Sequence, residues 1–438
     1  MPILDNFNSQ FINDVTETEN GLMSPYDKTK LNNINLDDIQ YIKDGLKEIE
    51  EYMVPQFIYG IKIDPVTNSV TYTDDAVGFA PLSVNQSTGV CNYGSWKNII
   101  ENTLGVRPCL VKKDGTVLSY LNPNDYSKTV DGNIADIESG EFGQVMISFN
   151  HVYYKFSMHE NKLWFQISNK RNDYTWIETA FCAEDGIGSV RDNMYISAYE
   201  CSQVNNILQS LSNKTPSFNL SFNEIETLSS FGVFNMMNIV KKQFVIFLGY
   251  LVTKSIDLES KIGNGNIQSN TILKSGTMNT KGLFYGRNTN TDGVKLFGIE
   301  NLWGNQLKYM HGLVQKLVYV LSVEDISSPE QHIYCKDFYP YNKIEDFDDI
   351  KDIQPNQSGF ISDIEFLKES IYFPSKLNGS STTYYKSFYQ NGESMNSSDL
   401  LYAIYGGSNQ YSYKAGPEFL LLANPDKDSV QITTHLIY

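Results

Sequence analysis

The sequence predicts an α+β protein in which a short helical N-terminal segment precedes a long β-rich unit with a small, mostly antiparallel sheet. Three observations carry this. Apolar residues recur at helical spacing before Pro55, strand-like alternation with turn residues begins at Phe57, and one long proline-free apolar run, Met236 to Ile256, interrupts that alternation.

The helical segment opens at Ser24-Pro25-Tyr26-Asp27, with Ser as cap, Pro in the first turn and an acid beside it. Ile39, Ile42, Leu46, Ile49 and Met53 follow at spacings of three and four, a heptad seam. Isoleucine at both seam positions favours three strands over two, so this segment is the candidate trimerisation element. Gly45 weakens the helix, and packing of the same face on its own domain is the competing reading. Pro55 ends it in either case.

Beyond Phe57, Ile58 to Ile63 and Ser69 to Thr73 alternate around Asp64-Pro-Val-Thr-Asn68 and predict a hairpin. Cys109 to Tyr120 predicts a second hairpin turning at Asp114-Gly115. Val145 to Ile167 predicts two or three strands, and Tyr195 to Glu200 another. Ser221-Phe-Asn-Glu224 is a capping box that opens a helix, and Met236 to Ile256 is a buried helix. Residues 261–266 and 288–293 predict loops, and 324–380 an acidic, irregular stretch. The tail predicts a loop at 405–416, a strand at Phe419 to Leu422 and a last strand ending at Tyr438. Residues 56–438 contain no repeat or low-complexity linker and predict one elaborated unit, with a β-rich part at 56–190 and a second part at 191–438.

The formal net charge of -17 lacks the dense Lys/Arg footprint that nucleic acids require. It also makes an unbridged polyanionic partner unfavourable. The five cysteines have no Cys-x-x-Cys spacing, which argues against a zinc site or a disulfide framework. The N-terminal residues lack the basic and apolar regions of a signal peptide. The longest apolar run, Phe244 to Val252, is too short to span a bilayer. The expectation is synthesis in a reducing cytoplasm, with release by lysis and no membrane insertion.

Two sets of residues carry a resemblance. Gly21-Leu-Met-Ser-Pro-Tyr-Asp-Lys-Thr-Lys-Leu-Asn-Asn-Ile34 is similar to the "GLMS-x-x-DK-x-KL" element near the N-termini of phage tail appendage proteins. Further on, an ordered set runs through Ile58-Tyr-Gly-Ile, Thr73-Asp-Asp-Ala-Val-Gly78, Arg107-Pro-Cys, Tyr120-Leu-Asn-Pro-Asn-Asp-Tyr126, Ala198-Tyr-Glu200, Ser212-Asn-Lys-Thr-Pro216 and Gly263-Asn-Gly265. It continues with Gly282-Leu-Phe-Tyr-Gly286, Gly298-Ile-Glu-Asn-Leu-Trp-Gly-Asn305, Tyr405-Gly-Gly407, Ala415-Gly416 and His435-Leu-Ile-Tyr438. Together these resemble receptor-binding tail-fibre proteins of phages, prophages and phage-tail-like bacteriocins of low-GC Gram-positive bacteria. That family carries a C-type-lectin-like domain of the formylglycine-generating-enzyme type.

The resemblance implies an elaborated C-type-lectin-like mixed α/β domain over the second part, 191–438. Residues 1–55 would attach the chain to a tail or baseplate as a homotrimer. The particle would be a virion or bacteriocin, and the partner a bacterial surface glycan or surface-layer protein. Loops before the C-terminal strands would form the binding face, carried here by Tyr384, Tyr385, Tyr389, Ser408, Asn409, Gln410, Tyr411 and Tyr413. Trp303, Gly304 and Asn305 would be internal structural residues. Tyr rings stack on sugars while Asn, Ser and Gln supply adaptable hydrogen bonds, which fits a recognition face. Packed strand tyrosines are the competing reading of Tyr384 to Tyr389.

No catalytic residues are predicted. Redox descendants of the lectin-like fold need paired cysteines or clustered histidines, and His311, His332 and His435 have no ligand spacing. A glycosidase needs two carboxylates at a set separation, and among 51 acidic residues no pair stands out. No cofactor is expected. Asp346, Asp348, Asp349 and Asp352 are candidate calcium ligands, but the run lacks the Gly turn and terminal Glu of an EF-hand loop, so a solvated acidic loop is expected instead. A tail-associated glycan hydrolase and a purely structural baseplate component are the alternatives to an adhesin.

Overall fold

The computed structural model describes residues 55–183, 188–217, 219–318, 330–336, 348–350, 358–391, 400–423 and 432–438. The seam residues Ile39, Ile42, Leu46, Ile49 and Met53, and the rest of the expected helical anchor, lie outside the described residues. Phe57 to Tyr438 forms one compact unit.

Strands dominate it. A four-stranded sheet runs in the order Ser69–Asp74, Ile58–Asp64, Lys162–Ser168, Tyr153–His159. A seven-stranded antiparallel sheet runs Asn235–Met236, Leu436–Ile437, Asn193–Ser197, Gln144–Asn150, Arg107–Val111, Val117–Asn122, Asp125–Thr129. A third, larger sheet is built around the twelve-residue strand Leu307–Val318, flanked by Glu330–Cys335 and Leu400–Tyr405. The seven-stranded sheet takes strands from both sides of residue 190, so the two parts of the unit share one scaffold.

Local sequence explains the elements. Alternation through Ile58 to Asp64 buries Ile61 and Ile63, and Asp64 closes the hairpin turn by accepting hydrogen bonds from the Val66 and Thr67 N–H groups. The Lys112–Thr116 turn sets Cys109 opposite Tyr120. In Gln144–Asn150 six of seven residues are buried, because partner strands flank it and both faces are covered. The chain then changes sheets at His151-Val152.

Helix α1, Phe222–Ser229, starts at a complete capping box between Ser221 and Glu224. Helix α2, Ile239–Thr253, has all fifteen residues buried. A helix that is apolar on every side needs partners on every side, and α2 has them. Phe244 packs on Tyr154, Phe165 and Phe181, and Phe247 on Phe156, Tyr250 and Tyr372. Its polar residues are satisfied. Lys241 donates to the Cys182 carbonyl at 2.9 Å, Lys242 pairs with Glu418 at 3.1 Å, and Gln243 bonds the Tyr372 backbone. No helix among the described residues is long and apolar enough to cross a membrane.

The expected fold class does not hold. In place of a C-type-lectin-like mixed α/β domain with one small sheet, the described residues form a mostly β structure of several sheets around one buried helix. The acidic stretch expected to be irregular contributes strands, including Asp363–Lys368 paired with Ile371–Lys376. The pairing there shifts register between Asp363 and Ile364 and between Phe366 and Lys368, and these irregularities break the period-two pattern.

The Gly298 to Asn305 segment lies at the centre. Trp303 is fully buried, and its indole N–H donates to the Gly263 carbonyl at 3.1 Å. Asn305 accepts from the Leu273 N–H and the Asn266 side chain and donates to the Leu273 carbonyl and the Glu200 carboxylate. Gly304 has a positive φ of 73° and sits 2.9 Å from the Asn266 backbone at its would-be Cβ, so only glycine fits. Trp303, Gly304 and Asn305 are structural residues in this fold.

Candidate functional site

A cleft of about 360 Å³ opens where three distant segments meet. One wall is the hairpin of Ser83–Asn85 and Val90–Asn92. Its tip is held by Asn85, whose side chain accepts from the Ser87 and Thr88 N–H groups and whose carbonyl accepts from Gly89 at 2.6 Å. Gln86 ties the hairpin to the body through the Glu259 carbonyl, and the Leu82 N–H reaches the Val252 carbonyl at the end of α2.

The second wall is Thr280 to Tyr285. Reciprocal backbone bonds between Tyr285 and Lys295, at 3.0 and 2.7 Å, hold one end, and a Lys281 N–H bond to the Met278 carbonyl holds the other. Leu283 turns into the core, while Gly282, the buried Phe284 and the half-buried Tyr285 border the cleft. Asn124, in the turn between Val117–Asn122 and Asp125–Thr129, closes the third side, and the Tyr126 N–H to the Asn279 carbonyl brings that turn up to the second wall.

Two phenols line the space. Tyr93 meets Phe284 edge-on at 5.7 Å, and Tyr285 lies against Gly89. Lys281 carries its ammonium 5.4 Å from the centre of the Tyr285 ring. Burial pushes the Tyr93 phenol well above its ordinary range, with nearby Cys91 and Glu101 adding to it. Burial, then Asp292, raises the Tyr285 phenol. Both rings are therefore neutral hydrogen-bonding groups near pH 7. Burial also pushes the Cys91 thiol up to about 12, which keeps it protonated and unreactive. Among the described residues the lining contains Thr88, Asn124, Thr280 and Lys281 as polar groups, and no Asp or Glu.

The loop residues expected to bind receptor are not gathered in one face. Tyr389 is fully buried against Phe373, Tyr385 is buried near Tyr250, and neither offers a ring to solvent. Asn409 is buried, bonding the Asn305 carbonyl and the Ser269 N–H through its backbone, and Ser408 is nearly buried. Tyr384 is half-buried and Tyr411 packs edge-on against Phe419 at 5.1 Å. Only Gln410 and Tyr413 of the set are exposed, and Tyr413 stacks over Phe360. Tyr385 and Tyr389 serve packing because a buried phenol contributes a large apolar face to a sheet protein.

Sequence reasoning passed over the cleft. In the sequence Gly282-Leu-Phe-Tyr-Gly286 stands only as a motif of the resemblance, whereas Gly282, Phe284 and Tyr285 all line the cleft. The available signal was a pair of adjacent aromatics after a glycine, together with the tyrosine surplus of 29 residues.

Of the candidate calcium ligands, Asp346 and Asp352 lie outside the described residues, and Asp348 forms an ion pair with Lys368. Among the described residues no group of three or more His, Cys, Asp or Glu is assembled to hold a metal. His311 and His435 are buried in separate hydrogen-bonded settings. Neither a protein-family model nor a curated protein matches this chain.

Proposed function

We propose that this chain is a non-enzymatic receptor-binding protein that attaches a phage or phage-tail-like bacteriocin to a Gram-positive cell surface, with the cleft as its binding site. The observation that carries the reading is the cleft's lining. Tyr93 and Tyr285 supply faces for a sugar ring, and Asn124, Thr88 and Thr280 supply the hydrogen bonds that orient it. The ordered set of motifs shared with tail-fibre proteins supports the biological setting, and residues 1–55 are the proposed attachment and trimerisation element. Three linked copies multiply a weak single-site affinity when all can engage together.

A glycan hydrolase requires two carboxylates across the scissile bond. Among the described residues the cleft lining offers none, which favours binding over cleavage. The test uses the purified full chain on host cells and on host walls. The reading expects saturable cell binding, competition with particle adsorption, and no release of reducing ends. Reducing-end release would assign a hydrolase instead. Failure to bind cells or to block adsorption would leave a structural baseplate role.

A further inference from the structure

Among the described residues Lys281 is the one charged side chain in the cleft lining, and no carboxylate pairs with it. Its ammonium lies 5.4 Å from the centre of the Tyr285 ring, so a sugar held beside that phenol brings its substituents near the cation. Nearby charges offset one another, since Asp292 is held by Arg287 at 3.3 Å. We propose that the cleft selects a saccharide bearing an anionic substituent, a carboxylate or a phosphate, and that Lys281 is the residue that sets this specificity. The assignment rests on the receptor-binding reading of the same cleft and names its ligand class.

The geometry supports a sugar over a free anion. A bare anion needs several converging donors, whereas here one ammonium is combined with two phenols and the exposed carboxamide of Asn124. Gly282 lies between these groups. Its would-be Cβ is 3.5 Å from the Asn124 oxygen and 4.0 Å from the Tyr93 hydroxyl, so these two polar groups face each other across an uncrowded stretch of backbone. The net charge of -17 does not prevent anion binding at this point. At physiological salt the field of distant charges is screened over about 8 Å, and a contact between Lys281 and the ligand is shorter than that.

The test titrates the full chain with glucose, glucuronic acid, glucose 6-phosphate and inorganic phosphate, read by calorimetry or ligand-observed NMR. Glucuronic acid and glucose 6-phosphate should bind about tenfold more tightly than glucose, the difference between a charged and a neutral hydrogen-bond partner. Which of the two binds better identifies carboxylate or phosphate as the natural substituent. Inorganic phosphate alone should bind more weakly than either. Lys281→Ala should abolish the preference while glucose binding persists, Lys281→Arg should restore it, and Tyr285→Ala should weaken all three sugars.

Equal affinity for glucose and glucuronic acid overturns the proposal, as does a preference that survives Lys281→Ala, or no binding of any probe. Cell binding separates this from the parent reading. A chain that binds cells with Lys281→Ala unaffected loses the ligand assignment alone. A chain that prefers charged sugars yet ignores cells loses the receptor role alone.

Discussion

Tyr285 lies so close to Gly89 that a Cβ at position 89 would stand 2.1 Å from its Cε2 atom. The hairpin tip and the Thr280 to Tyr285 wall thus meet through a ring seated on a bare backbone. Gly89 also has a positive φ of 77°, and Gly282 across the cleft one of 72°.

Those two glycines separate strain from shape. Gly89→Ala and Gly282→Ala should each cost about 1–3 kcal/mol in backbone strain. Only Gly89→Ala must also move the Tyr285 ring, because the nearest atom to a Cβ at 282 is 3.5 Å away. Urea melts should therefore show Gly89→Ala at least as destabilised as Gly282→Ala, while cell binding falls much further, about tenfold or more, in Gly89→Ala.

Glu200 and Lys308 pair at 3.0 Å where neither side chain reaches solvent. Burial pushes the Glu200 carboxyl up and the Lys308 ammonium down, and each opposes the other's shift. Asn301, Asn305 and the Gln306 N–H complete the carboxylate's partners. Removing either member alone, Glu200→Ala or Lys308→Ala, should cost about 3–5 kcal/mol, since it strands the other charge. In a double-mutant cycle followed by urea unfolding, the double variant should lose less than the sum of the two.

Trp303→Ala should destabilise the unit by about 3–5 kcal/mol through the cavity it leaves. Trp303→Phe keeps most of the packing but leaves the Gly263 carbonyl without its donor, so about 1–3 kcal/mol of that loss should remain. Thermal unfolding ranks the two.

His435 makes a pH prediction. Its Nε2 donates to the Glu300 carbonyl at 3.0 Å and its Nδ1 accepts from the Tyr405 hydroxyl at 2.9 Å, the pattern of a neutral ring. Burial, with Lys308 nearby, lowers its pKa from 6.5 to about 3. The unfolded chain therefore binds a proton between those values that the folded chain does not. Stability contributed by His435 is complete above pH 6.5 and is lost as pH falls toward 3, at about 1.4 kcal/mol per pH unit. Glu259, raised to about 8 by burial, works in the opposite sense between 4.5 and 8. Comparing wild type with His435→Gln across pH 3 to 7 isolates the histidine, and the variant should show the shallower acid slope.

The sequence made local structure legible and left the site hidden. Hairpins at 58–74 and 107–122, the capped α1 and the buried α2 all follow from patterns within a few residues. The burial of Trp303 followed from its glycine and asparagine neighbours. The sheet architecture did not, because pairing such as Ile196 with Ile437 joins residues far apart in the chain. The cleft escaped for the same reason. Thr88, Asn124 and Tyr285 come together only through tertiary pairing. Tyr385 and Tyr389 were misplaced because a tyrosine run looks alike whether its rings face solvent or a core.

The most direct test of the binding-site assignment compares two variants of the full chain for saturable binding to Gram-positive host cells. One removes a cleft ring, Tyr285→Ala. The other removes the exposed loop ring, Tyr413→Ala. With both variants shown to melt cooperatively, the account expects Tyr285→Ala to lose binding tenfold or more by our estimate, and Tyr413→Ala to bind as wild type does. Wild-type binding by Tyr285→Ala together with loss in Tyr413→Ala would contradict it and return the receptor site to the C-terminal loops.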